Sequence, residues 1–227
     1  TRAVARTGGG RPLDLGLFYF AADQRQPGGD AYRLLLEGAK FADRRGFSSV
    51  WVPERHFHGF GGLYPNPSVA AAALAAVTER VALRAGSVVL PLHHPVRVAE
   101  EWSMVDNLSG GRVGLSVASG WHARDFVFAP ERFAGRRDEM LSSLDVVRRL
   151  WRGEAVTLPS GTGAPVEVRL HPRPVQAELP FYLTAGGAVE TFETAGRMGA
   201  GGLTHLLGQS IDELGDKLRV YRAARRA

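Results

Sequence analysis

Apolar residues along the 227-residue chain come in short unbroken runs, separated by longer stretches where they recur every three or four positions. Leu13 to Phe20 (LDLGLFYF) is the first such run and reads as a strand. A turn signal over 27–30 (PGGD) follows, and then an amphipathic helix from Ala31 to Arg45 that Gly46 ends. Ser49 to Val52 is the second strand. Asn66-Pro67 opens an alanine-rich helix running to about Thr78, with a capping side chain and a first-turn proline in their preferred places. The third strand is Val81 to Leu90, followed by a helix over Pro95 to Leu108 that stops at Gly110-Gly111. Val113 to Ala118 is the fourth strand. Arg136 to Trp151 places apolar residues at 140, 141, 144, 147, 150 and 151, which is helical spacing. From Gly153 to Pro180 the rhythm lapses into an insertion with a small hairpin near Val166 to Leu170. It then resumes with a strand at Phe181 to Ala185, a helix at Val189 to Met198, a strand at Gly202 to Leu207 and a helix at Ile211 to Arg226.

Strict alternation of near-continuous apolar strands with helices predicts an α/β protein, a parallel sheet covered by helices. A doubly wound sheet and a barrel both satisfy the pattern. Six units are two fewer than a (β/α)8 barrel, which typically takes about 250 residues. A barrel reading therefore requires the last two units to be missing or altered. With no repeat and no low-complexity linker, residues 1–227 are expected to form one domain.

Composition narrows the chemistry. Hydrophobic residues make up 44% of the chain, enough for a sizeable core. The net charge of +5 comes almost wholly from arginine, since Lys40 and Lys217 are the only lysines, and much of it lies near the two ends. No interior stripe interleaves cations with aromatics, so nucleic-acid binding is not expected. The absence of cysteine removes disulfides, thiolate nucleophiles and cysteine-ligated metal clusters, so any redox chemistry needs a cofactor. No apolar run reaches the roughly 18 residues of a membrane span, and Thr1 to Arg11 is polar rather than a signal peptide. A soluble cytoplasmic protein is the expectation.

Ligands of α/β folds bind at the carboxyl ends of the strands. After the second strand stand Glu54, Arg55, His56 and His58, followed by Gly59 to Gly62. Such a cluster can do acid/base work or bind an anion, and it can equally be an ion pair and a satisfied histidine under a loop. His93-His94 after the third strand can serve chemistry or simply precede a helix. After the fourth strand, Ser119-Gly120-Trp121-His122-Ala123-Arg124 combines close backbone approach, a stacking face and donors for an oxygen-rich ligand. Ala185-Gly186-Gly187 before a helix suits a phosphate or a plain tight turn. His205, on the last apolar strand, is expected in the core. No dinucleotide fingerprint or P-loop motif occurs, and Gly114 to Ala118 reads as strand rather than nucleophile elbow.

Several segments in order resemble the bacterial luciferase-like flavin monooxygenases, in particular the branch found in natural-product assembly lines. They are LDLGLFYF at 13–20, SVWVPERHF at 49–57, LPLHHPVR at 90–97 with Glu100, Glu101 and Trp102, LSGGR at 108–112 with SGWH at 119–122, and THLLGQS at 204–210. The resemblance implies a TIM barrel with FMN at the carboxyl ends of its strands. It assigns Ala185, Gly186 and Gly187 to the FMN phosphate, and Ser87, Val88, Ser119, Gly120 and Trp121 to the flavin. It also makes Ser87-Val88 a candidate for a non-proline cis peptide. The implied chemistry is that reduced FMN, delivered by a separate flavin reductase, traps O₂ as a C4a-peroxide and transfers one oxygen to a small or carrier-tethered biosynthetic intermediate, with the protein excluding water. A homodimer is the expected assembly.

One departure concerns mechanism. Luciferases carry Glu-His-His-Phe where this chain has Glu54-Arg55-His56-Phe57, and a guanidinium cannot act as a general base at neutral pH. Arg55 is therefore expected to hold an anion, leaving His56, His122 or His93 to move protons. Alternatives are a non-catalytic flavin-binding relative, a deazaflavin-dependent oxidoreductase, and a metal-dependent barrel hydrolase suggested by His56-x-His58; no resident metal is expected.

Overall fold

Alternation in the strands decides which side of the sheet becomes core. The computed structural model describes residues 4–5, 13–20 and 30–227; the turn signal at 27–29 and most of the polar opening lie outside these. β1 (Val4–Ala5) pairs antiparallel with β2 (Leu13–Asp14). The main sheet is parallel throughout, in the order β10-β9-β6-β5-β4-β3. Its strands are β3 (Gly16–Phe18), β4 (Ser49–Val52), β5 (Ala82–Val89), β6 (Val113–Ala118), β9 (Phe181–Thr184) and β10 (Gly201–Leu203). Each is followed by a helix: α1 (Arg33–Arg45), α2 (Pro67–Ala75), α3 (Pro95–Ser109), α4 (Arg136–Arg152), α5 (Val189–Arg197) and α6 (Ile211–Arg226). The hairpin of β7 (Val156–Pro159) and β8 (Pro165–Val168) stands between α4 and β9.

Side chains at alternate positions, among them Val50, Val52, Leu83, Ala85, Leu115, Val117 and Leu183, are buried under the helices. They pack into two clusters, one with α1 and α2 and one with α3, α4 and α5, the latter enclosing Trp102 and Trp151. The opposite face carries Trp51, Arg84, Ser116, Tyr182 and Thr184. In a flat sheet β4 and β9 would stand three spacings, roughly 14 Å, apart. Here Trp51 meets Tyr182 edge to face at 5.2 Å, and Ser87 of β5 bonds Thr184 across β6. The sheet is therefore curled into the wall of a TIM-type barrel, six β/α units being present among the described residues.

Local chemistry sets the helix ends. Asn66 accepts hydrogen bonds from the Ser68 and Val69 amides ahead of Pro67, a cap that contributes about 1 kcal/mol. Ser210 and Glu213 form a reciprocal capping box on α6. Two boundaries differ from expectation. α2 ends at Ala75 rather than near Thr78: the Val77 amide turns back to Leu74 O at 3.1 Å, three residues earlier instead of four, and the Thr78 carbonyl beyond accepts from the Arg112 guanidinium. β10 is confined to residues 201–203, since its register on β9 ends with Leu203 opposite Thr184 at the end of that strand. The chain beyond turns outward, so His205 is exposed rather than core, its Nδ1 accepting from the Leu207 amide. The non-proline cis peptide also falls one residue earlier than the resemblance implied, at Gly86–Ser87. There the β5 register steps from Gly86 opposite Ser116 to Val88 opposite Val117, leaving Ser87 as the extra residue.

Candidate functional site

At the end of β4 the chain passes through buried Pro53 and delivers Glu54 into the interior, its side chain fully enclosed. Three donors converge on that carboxylate. The Val89 amide bonds Oε2 at 2.7 Å, while His93 Nε2 and His56 Nε2 reach Oε1 at 2.7 and 2.8 Å. Burial acts to raise the Glu54 pKa, but the hydrogen bonds from both imidazoles and the amide outweigh it and hold the carboxylate below its ordinary range. Burial likewise acts to lower His93, and the bond and charge of Glu54 overcome it, so the imidazole titrates above its usual value. The His56 side chain is 9% exposed and that of His93 33%, so one carboxylate links an enclosed imidazole to a more open one.

Beyond Glu54 the loop is tightly held. The Arg55 amide donates to Tyr64 O at 3.0 Å, and Phe57 adopts a left-handed conformation, φ +51°. Backbone of that kind is uncommon for a bulky residue and concentrates at functional sites. This loop faces the segment after β6 across an open cleft lined by Phe20, Arg55, His56, Phe57, His58, Gly120, Trp121, His122, Arg124 and Asp125 among others. Gly120 holds φ +77°, and a Cβ there would lie 2.8 Å from Phe126 and 2.9 Å from Val89, so only glycine brings the chain this close. Arg136 Nε donates to the Gly120 carbonyl at 3.1 Å and fixes the turn. Trp121 is 75% exposed, with its ring edge-on to His122 at 4.9 Å and facing the Arg55 guanidinium at 6.0 Å.

A second cleft adjoins through Ser119. It is lined by Ser119, Arg137, Met140, Leu141, Leu183, Thr184, Thr191 and Thr194. On the inner face of the sheet, the Thr184 hydroxyl meets both Ser87 and, at 2.8 Å, Ser116. Gly186 and Gly187 precede α5 with open space around them: a Cβ at Gly187 would meet nothing within 4 Å, and one at Gly186 only His205 Nε2 at 3.9 Å. The Arg137 guanidinium, the Thr191 hydroxyl and an unobstructed glycine pair before a helix are a donor set that suits a phosphate monoester such as that of FMN, whereas the Thr194 hydroxyl donates to Glu190 O at 2.7 Å.

Two of the residues assigned to the flavin by resemblance lie differently. Val88 is buried on the helix side of β5, and Ala185 is buried with its amide already donated to Leu203 O at 2.9 Å. Neither has a side chain facing either cleft. His56, His122, Arg55 and Trp121 come together in the first cleft, while His93 stands behind it on Glu54. His56 and His93 direct Nε2 at the carboxylate, which commits those nitrogens to hydrogen bonds rather than to a metal. Sequence reasoning missed Arg137, which sits among surface charges of an amphipathic helix, and the Ser116 and Thr184 hydroxyls that gather beside Ser87. Only the curl of the sheet brings the latter together. Glu54 was legible as part of a charged cluster, but not as its anchor.

Comparison with known proteins agrees with this architecture. The family profile described as luciferase-like monooxygenase matches residues 13–227. The chain is 35% identical over 185 residues to 4-hydroxyprotoasukamycin monooxygenase of Streptomyces nodosus subsp. asukaensis, covering 79% of this chain and 50% of that protein. It therefore spans about half the length of this curated relative. The crystal structure of monooxygenase RslO1 from Streptomyces bottropensis superposes with a TM-score of 0.85 at 28% identity, over 94% of this chain and 66% of that one. The oxygenating constituent of 3,6-diketocamphane monooxygenase from Pseudomonas putida, in complex with FMN, shares the fold with a TM-score of 0.79 at 19% identity, over 94% of this chain and 62% of that one. With a profile match across nearly the whole chain and the same curled parallel sheet, the protein belongs to the luciferase-like monooxygenase family.

Proposed function

We propose that the chain carries the FMN and substrate sites of a monooxygenase that inserts one atom of O₂ into a small or carrier-tethered biosynthetic intermediate. The observation that carries this reading is the pair of clefts joined at Ser119 and Gly120, one with the donors of an anion site and the other with paired imidazoles and aromatic walls. Arg137, Thr191 and the amides at Gly186 and Gly187 would hold the phosphate. Ser119, Gly120 and the Ser87 hydroxyl would border the ring system. When bound, reduced FMN supplies the two electrons that let one oxygen atom enter the substrate and the other leave as water. His56, kept in place by Glu54, holds or moves a proton at its Nδ1. His122 offers a second proton carrier on the opposite wall. The aromatic side chains exclude water. A separate reductase supplies the flavin, and the working form is a cytoplasmic homodimer; among the described residues no helix is long and apolar enough to cross a membrane.

Anaerobic titration with reduced FMN, followed by admission of oxygen, tests the reading. Binding and O₂-dependent product are expected. Binding without product would identify a non-catalytic flavin-binding protein, and preference for a deazaflavin would identify a hydride-transferring relative. Arg137→Ala should weaken FMN about tenfold while leaving riboflavin, which lacks the phosphate, nearly unchanged. Equal losses for the two flavins would remove Arg137 from the phosphate site.

A further inference from the structure

We propose that the cleft between Arg55 and Trp121 selects a planar, conjugated substrate bearing an oxyanion in the plane of its ring system. The proposal rests on the function given above, because it names the class of molecule that the site would oxygenate. Three observations converge on it.

The first is an unanswered guanidinium. Arg55 Nε is buried and has no hydrogen-bond partner among the described residues, although burial of a polar N–H ordinarily demands one. The carboxylate next door does not serve it: the hydrogen bonds that Glu54 accepts come from Val89, His93 and His56. The second is confinement. The guanidinium lies over the Phe60 ring at 5.8 Å and the Trp121 ring at 6.0 Å. Gly61, at φ +83°, gives the arginine stem its path, because a Cβ there would stand 2.6 Å from Arg55 Cδ. A fork placed against aromatic rings in this way can offer its N–H edge to a coplanar carboxylate, enolate or phenolate. The third is the walls. Phe20 stacks on Phe60 at 5.5 Å, Phe57 stacks on Phe128 at 5.5 Å, and Trp121 stands opposite, all substantially exposed. Flat, exposed aromatic faces favour a flat partner. The charge balance agrees: Arg55 and Arg124 line the cleft with His56, His58 and His122, against Asp125 and the committed Glu54.

Three probes separate the elements of the proposal: 2-naphthoate, its neutral amide 2-naphthamide, and the saturated decalin-2-carboxylate. Binding to the flavin-free chain is followed by tryptophan fluorescence and proton NMR, then repeated with saturating FMN. Naphthoate is expected to bind at least tenfold tighter than either control and to bind alongside FMN. Arg55→Met should abolish the preference for naphthoate over naphthamide, Arg55→Lys should retain part of it, and Trp121→Ala should weaken both flat probes. Circular dichroism establishes that each variant is folded, and Arg55→Lys decides the matter if the methionine variant is not. Equal binding of the three probes, no binding, indifference to Arg55, or mutual exclusion of naphthoate and FMN would overturn the proposal, the last by giving the cleft to the flavin ring. If naphthoate selectivity holds but FMN does not bind, the proposed function fails while this assignment stands.

Discussion

At the scale of the residue, Glu54 organises the site. It is enclosed, and its oxygens receive an amide and two imidazoles. Removing its charge leaves those donors facing an amide, and breaking a buried charged cluster of this kind typically costs about 3 kcal/mol or more. Glu54→Gln should therefore lower chemical stability by about that amount in urea unfolding. It should also move the His93 imidazole titration, read by NMR, toward lower pH. The sign follows from the shifts. His93 titrates above its ordinary value, so its contribution is full below about pH 6.5 and is lost as pH rises through the folded value. Glu54 titrates below its ordinary range, so its contribution is full above about pH 4.3 and is lost as pH falls through the folded value. The pair stabilises most between those limits, and Glu54→Gln should flatten the dependence. The glutamate was visible beside its histidine neighbours in the sequence. Its link to His93, 39 residues on, was not, because nothing local to either residue specifies it.

At the scale of the element, single buried carboxylates pin loops to helices. Asp43 near the end of α1 accepts from the Arg80 and Val81 amides at 2.7 and 2.8 Å and from Glu79 at 3.2 Å, fixing the entry to β5. Asp106 on α3 does the same for Val175 and Gln176 ahead of β9. Burial acts to raise the Asp43 pKa, but the three amides prevail and it lies below its ordinary value. Its stabilisation is therefore present above about pH 3.9 and disappears as pH falls through the folded value. Asp43→Asn should cost about 2 kcal/mol at neutral pH, and the gap from the parent protein should close as the medium is acidified. A constant gap across that range would assign the loss to packing instead. Strand and helix positions were legible here because burial on one side imposes a period that survives in the residues. The end of β10 was not, since an edge strand extends only as far as its neighbour pairs with it.

At the scale of the whole molecule, the sheet presents two edges, β3 and β10, and an inner face carrying Trp51, Arg84 and Tyr182, each half-buried. On the outside, α2 and α3 carry exposed Val69, Met104 and Leu108, the last two one turn apart on the same helix face. Apolar side chains grouped on packed helices are the kind of surface that a subunit contact covers. The homodimer reading predicts that sedimentation gives twice the monomer mass and that Met104→Lys with Leu108→Lys restores the monomer without unfolding it. A parent chain that sediments as a monomer at micromolar concentration would remove the dimer from the proposal.

Periodicity and turn chemistry, both properties of neighbouring residues, were enough to identify an α/β protein with parallel strands and to mark out the loops at the carboxyl ends of those strands. Flavin chemistry came only as an implication of the family resemblance carried by the segments after the strands. Tertiary structure alone decided that the sheet curls, because Trp51 and Tyr182 meet across the two strands between them. It alone placed Thr184 between Ser87 and Ser116, turned Val88 and Ala185 into the core, and left the Arg55 fork between aromatic rings. The physical reason is common to all of these: sequence spacing records which face a residue takes within its own element, whereas convergence on a site depends on how separate elements are rotated against one another by packing.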